Sequence, residues 1–163
     1  MFVEYRYAIL NRPKALTALA SLCCDAHVIE LGPGKWGGLA LEALASPARS
    51  YLGVDTEPVL VAPRNARYVR ADVHNVLAST PDRDASISSG FFDPRINEHL
   101  DAIVSALAEH ASEGLHWIAP EAIGLFKDNG FVLRPIAPDV YRTQSTKRAL
   151  GARTYEVRTR DHK

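Results

Sequence analysis

The run Val28-Ile-Glu-Leu-Gly-Pro-Gly-Lys-Trp-Gly-Gly38 restricts the folds open to this chain more than any other segment. Val28–Leu31 is short and mostly apolar, as a buried strand requires, and it breaks at Gly32-Pro33-Gly34. A helical pattern begins at about Gly37 and stops at Ala45, before Pro47. A strand followed at once by a helix must return to its sheet by a right-handed crossover, which sets the next strand parallel to the first. The glycines at 32, 34 and 37 have the G-x-G-x-x-G spacing, where backbone can approach a nucleotide ligand at a helix N-terminus. Spacing alone also fits a tight turn with no ligand.

The same alternation continues along the chain. Tyr51–Val54, Arg67–Arg70, Ala85–Ser88, Leu115–Ile118, Phe131–Leu133 and Tyr155–Thr159 read as further strands. Asn11 as cap and Pro13 in the first turn open a helix running to about Cys24. Leu100, Ile103, Val104, Leu107 and Ala111 recur at helical spacing and predict a helix over Glu98–Ala111. Pro120–Asp128 predicts another, stopped by Asn129-Gly130, while Glu57–Arg64, with its prolines, has room for one turn. The expectation is an α/β three-layer sandwich around a seven-stranded, mostly parallel sheet. Tyr155–Thr159 would be the antiparallel last strand, beside Phe131–Leu133, with Pro135–Ala152 as a long intervening loop. No linker or repeat divides the 163 residues, so one domain spanning 1–163 is expected.

Composition narrows the function classes. Nineteen basic residues balance nineteen acidic ones, leaving no general attraction to nucleic acid or anionic membrane. The segment from Ile136 onward is locally basic, with seven basic against three acidic residues, as solvated faces often are. Cys23 and Cys24 are adjacent and no C-x-x-C exists, so neither a disulfide framework nor a zinc site is readable. The longest apolar stretch, Ala15–Cys24, is about half a membrane span. A cytoplasmic protein is the expectation.

Three acids lie at successive strand ends. Glu30 lies two residues before the first glycine, where a carboxylate would repel a pyrophosphate and attract an ammonium. Asp55, 23 residues after Gly32, ends the next strand, where a carboxylate can accept both hydroxyls of a ribose. Asp72 follows the third strand. Each alone fits a loop acid or a helix cap, but together they line one sheet edge.

These stretches, Val28-Ile-Glu-Leu-Gly-Pro-Gly, Tyr51-Leu-Gly-Val-Asp55, Tyr68-Val-Arg-Ala-Asp72 and Pro81-Asp-Arg-Asp-Ala-Ser-Ile-Ser-Ser89, resemble the first four motifs of class I S-adenosylmethionine-dependent methyltransferases. Glu98-His99-Leu100 with the strand ending Trp117-Ile118, and Leu125-Phe126-Lys-Asp-Asn-Gly-Phe131, are similar to later segments of the members acting on small molecules. The resemblance implies the Rossmann-like methyltransferase fold, S-adenosyl-L-methionine as cofactor and no metal. It places Glu30, Gly32, Pro33 and Gly34 by the methionine part, Asp55 at the ribose, Thr56 over the adenine edge, and Asp72 with Val73 at the adenine. Ser88 and Ser89 would face the methyl-donating end. His99 is the candidate general base; a plain role at the start of its helix is the alternative. The expected partners are a small-molecule acceptor and, at most, a second copy of the chain, with no nucleic acid and no membrane.

The sequence departs from the family pattern where Lys35 and Trp36 intervene before Gly37, where Pro58 and Pro63 truncate a helix, and where Phe91–Asn97 lengthens a loop. Two other readings stand beside methyl transfer: a binding or regulatory protein that keeps the fold without catalysis, and a nicotinamide-dependent oxidoreductase, which Asp55 permits and Glu30 opposes. Phe2–Tyr7, Phe91–Asn97 and Pro135–Ala152 are the segments available to shape an acceptor pocket, with Tyr141 within reach or packed as a loop aromatic.

Overall fold

The computed structural model describes residues 5–146. Pro13 at the first helical position, preceded by Arg12, opens α2 (Pro13–Cys23), and a short α1 (Tyr7–Leu10) precedes it. Asn11 therefore ends α1 rather than capping α2, since Pro13, with no N–H to satisfy, starts the helix without a side-chain cap. The first strand, β1 (His27–Leu31), runs into the glycine loop, and α3 (Ala40–Ala45) starts three residues later than the sequence suggests. Gly37 and Gly38 both have positive φ, which no helix interior accepts.

Next come β2 (Ser50–Asp55), β3 (Arg67–Arg70), α4 (Val73–Ser79) and β4 (Ala85–Phe92). No helical turn forms over residues 57–64. The chain continues through α5 (Leu100–His110), β5 (Glu113–Ile118), a 3-10 turn at Pro120–Ala122 and α6 (Ile123–Asp128), ending in β6 (Phe131–Ala137) and β7 (Val140–Ser145).

The strands form one seven-stranded sheet in the order β3-β2-β1-β4-β5-β7-β6. The first five pair in parallel, and β7 runs antiparallel to both β5 and β6. Parallel strands covered on both faces must bury alternate residues on opposite sides. Val28, Tyr51, Ile87 and Leu115 pack against α1, α2 and α3, while Ile29, Leu52 and Val54 pack with α4, α5 and α6. The expected fold is thus present, with its seventh strand at Val140–Ser145. A tight turn at Pro138-Asp139, with Asp139 at φ +58°, closes a hairpin inside what the sequence presents as a long loop. The expected strand Tyr155–Thr159 lies outside the described residues. Tyr141, on β7, packs against the core. Among the described residues no helix is long and apolar enough to cross a membrane.

Candidate functional site

A parallel sheet opens a crevice where strand order reverses, at the carboxyl ends of the two strands flanking the reversal. Here those strands are β1 and β4. The chain leaves β1 at Gly32 with φ +60°, and Phe91 of β4 packs so close that a Cβ on residue 32 would meet its ring at 2.8 Å. Only glycine combines that φ with that contact.

Two cavities flank this point. The first, about 220 Å3, has Asp55, Thr56, Asp72 and Glu98 on its polar side. Val54, Val73, Phe91, Ile96 and Ile103 form its apolar side. The second, about 270 Å3, is lined by Tyr5, Arg6, Pro33, Gly34, Lys35, Trp36 and Ser89. Gly32, Gly90 and Ile96 border both, so the cavities adjoin.

Asp55 ties the glycine loop to β2. Its Oδ2 accepts the Gly34 N–H at 2.9 Å and its Oδ1 the Glu57 N–H at 3.0 Å. A carboxylate offers about four acceptor positions, so capacity remains for hydroxyls on the cavity side. Asp72 is the N-cap of α4, accepting the His74 N–H at 2.9 Å. An acid-edged, apolar-floored cleft beside positive-φ glycines suits a nucleoside: the carboxylates take a diol, and Val73, Phe91 and Ile103 take the face of a base.

Glu30 lies elsewhere. It is fully buried beneath the loop and lines neither cavity. Its Oε1 accepts from the Leu39 N–H at 2.8 Å and the Tyr51 hydroxyl at 2.6 Å, while Oε2 has no hydrogen-bond partner among the described residues. A Cβ at Gly38 would collide with this carboxyl. Burial, only partly offset by the bonds from Tyr51 and Leu39, pushes its pKa up to about 8. An ammonium in either cavity would meet Glu30 only through the loop.

Ser88 is also turned away from both cavities. It and Ser86 flank the fully buried His116 ring, whose Nδ1 lies 2.7 Å from the Ser88 hydroxyl and whose Nε2 lies 3.0 Å from that of Ser86. Burial pushes the His116 pKa down to about 3, so the ring is neutral. His99 has φ +58° at the head of α5, makes no side-chain cap bond, has a side chain 86% exposed and lines neither cavity. Nothing in its geometry supports a general-base role.

The sequence gives Glu98 and Ile103 a place only in a helix, and it gives no site role to Gly90 or to Tyr5 individually. Of these, only Tyr5 falls in a segment expected to shape an acceptor pocket; Phe2–Tyr7 and Phe91–Asn97 both reach the second cavity, through Tyr5, Arg6 and Ile96. Residues 135–152 contribute nothing to it among the described residues. Among the described residues no cluster of three or more His, Cys, Asp or Glu could hold a metal.

The β1–loop–α3 unit, the strand order and the crevice define a domain with the Rossmann-like fold found in methyltransferases. The chain is similar to a protein of Mycolicibacterium smegmatis named "probable S-adenosylmethionine-dependent methyltransferase", with 39% identity over 85 residues. That match takes in 52% of this chain and 32% of the relative, so it spans about a third of the relative's length. Among solved structures, yhhF of Escherichia coli, named as a candidate methyltransferase, superposes with a TM-score of 0.61 at 19% identity, over 83% of this chain and 86% of that one. PH1948 of Pyrococcus horikoshii, named as a candidate RNA methyltransferase, does so with a TM-score of 0.61 at 20% identity, over 81% and 82%. No family model matches the chain.

Proposed function

We propose that this protein works as a single S-adenosylmethionine-binding domain that transfers a methyl group to a small-molecule acceptor. The observation carrying the reading is the pair of adjoining cavities, one edged by acids, the other with none among the described residues, meeting at Gly32 and Gly90. S-adenosylmethionine, when bound, supplies an electrophilic methyl on a sulfonium with a good leaving group. Asp55 holds the ribose hydroxyls while keeping its bonds to the Gly34 and Glu57 backbones, and Thr56, Asp72 and Val73 border the adenine. Gly32, Pro33 and Gly34 border the methionine part, and Glu30 supports that loop from beneath. Ser89, which lines the second cavity, is beside the methyl end.

Proximity and orientation are the chief contributions such a site makes, because in-line displacement of a thioether leaving group needs no metal. Among the described residues no histidine or carboxylate lines the second cavity. A zero net charge provides little of the counter-ion release that holds nucleic acids, and a cavity this size favours a small acceptor.

Titration with S-adenosylhomocysteine tests the reading. At a hundredfold excess over its dissociation constant it should stabilise the fold by about 2.7 kcal/mol. Asp55→Ala should weaken its binding by about 1.5–3 kcal/mol per lost charge-assisted hydrogen bond at most. Absence of binding heat at millimolar ligand, or equal affinity in the variant, overturns the cofactor assignment. Turnover against an acceptor panel separates catalysis from binding alone.

A further inference from the structure

A groove larger than either crevice cavity runs between α2 and β6, the free edge strand of the sheet. It consists of two adjoining hollows of about 470 and 390 Å3. Lys14, Thr17, Ala18 and Ser21, at i, i+3, i+4 and i+7, form the helix wall, and Pro135 and Ile136 form the strand wall. Ala137 and Pro138 carry the groove on toward Arg12 and Pro13. The Thr17 hydroxyl donates to the Pro13 carbonyl at 3.0 Å, so it is satisfied within the helix. The groove shares no residue with either crevice cavity.

Cations stand at both ends. Arg12 and Lys14 occupy one. Beyond Pro135, Arg134 of β6 lies directly opposite Arg142 of β7 in the antiparallel pairing, and Arg142 Nη1 reaches the Ala18 carbonyl at 3.5 Å. Like charges opposed across two strands cost stability, and no carboxylate offsets that cost: among the described residues none of the four cations is in an ion pair. No acid lines the groove among the described residues, and Glu113 is the one acid in the adjoining cavity of about 200 Å3 that Arg134 and Arg142 share with Val132 and Gln144. Residues 147–163 have the wrong sign to neutralise these cations, with six basic residues against two acidic. An apolar groove with positive ends is complementary to an apolar segment with negative ones.

We propose that this face docks a short acidic segment of a partner protein, its apolar side chains between α2 and β6 and its carboxylates toward Arg12, Lys14, Arg134 and Arg142. From Lys14 to Ser21 the helix advances about 10 Å, room for roughly three extended residues or two turns of helix. Pro135 has no N–H and borders a register shift in β6, so the free edge does not template a continuous added strand, and recognition falls to side chains. Pro13, Pro135 and Pro138 keep φ fixed along the walls, which lowers the ordering cost of docking. No aromatic ring lines the groove among the described residues; without a surface for base stacking it suits a peptide over a single-stranded nucleic acid. The proposal is independent of the methyl-transfer reading.

The test starts with selection of a phage-displayed library of short random peptides on the whole chain. The most enriched peptide is synthesised with a fluorescent label, and its affinity is measured by anisotropy. It should carry at least two acidic residues flanking apolar ones. Arg12→Glu combined with Lys14→Glu, and separately Arg134→Glu, should weaken its binding tenfold or more. Thr17→Tyr, an exposed position where the larger side chain narrows the groove, should do the same. Lys127→Glu, which reverses an exposed cation on α6 at the opposite face of the sheet, should leave binding unchanged. Melting curves verify that the variants fold. Enrichment of no peptide, or of a basic or uncharged one, would overturn the proposal. So would indifference to the charge reversals or to Thr17→Tyr, an equal loss in Lys127→Glu, or displacement of the peptide by single-stranded oligouridylate.

Discussion

Glu30 combines two demands that pull its proton in opposite directions. The hydrogen bonds from Leu39 and Tyr51 favour the carboxylate, yet complete burial, with Oε2 lacking a hydrogen-bond partner among the described residues, favours the acid and wins. A pKa raised from 4.5 to about 8 means the folded chain holds a proton that the unfolded chain releases between those values. Stability contributed by this group is therefore full below pH 4.5 and falls as pH rises toward 8. Glu30→Gln keeps an acceptor for Leu39 and Tyr51 and cannot ionise. The wild type should lose stability relative to this variant between pH 5 and 9, by a few kcal/mol in order of magnitude. Urea unfolding at several pH values measures it, and a constant difference would mean that Glu30 does not change its ionisation across that range in the fold. The sequence showed an acid beside a glycine turn and suggested that it faced a ligand. Strand parity turns the side chain to the α3 side of the sheet instead, and Gly38, lacking a Cβ, leaves room for it there.

The same contrast recurs among the elements. Asp72 reads equally as a ligand-facing acid and as a helix cap, and the structure gives it both a cap bond and a place in the cavity wall. The two roles separate by experiment. Asp72→Ala should cost about 1 kcal/mol of stability, most of it recovered in Asp72→Asn, because asparagine caps nearly as well. A ligand role would appear instead as weaker S-adenosylhomocysteine binding in both variants. The helix this residue caps is legible in Val73, Val76 and Leu77, which recur at i, i+3 and i+4. The strand Val140–Ser145 was less so. Its buried positions include Thr143 and Ser145, polar residues that leave no apolar alternation to read, and it is stabilised by pairing on both sides.

At the scale of the molecule, β4 and β5 lie at the centre of the sheet, and the buried Ser86–His116–Ser88 cluster links them from within the core. Because burial lowers the His116 pKa from 6.5 to about 3, the unfolded chain binds a proton there that the fold does not. The associated stability is full above pH 6.5 and is lost as pH falls toward 3. His116→Asn removes that titration, so acid unfolding of the variant should have a shallower pH dependence between 6 and 3, followed by circular dichroism; an unchanged slope would show that the ring is already protonated in the fold. Over pH 4.5–6.5 this term opposes that of Glu30, so each is best measured against its own variant. The sequence by itself determined the layered α/β plan, the parallel run of strands and the crevice beside the glycine loop. These follow from short-range signals, in apolar periodicity, glycine and proline breaks and acids at strand ends, that each segment carries alone. Only the tertiary structure decided that Glu30 and Ser88 face away from the crevice, that His99 stands in solvent, and that Tyr5, Arg6 and Lys35 meet in one cavity. Those outcomes depend on strand parity and on contacts between residues far apart in the chain, which arise only when the packed elements bring distant side chains together.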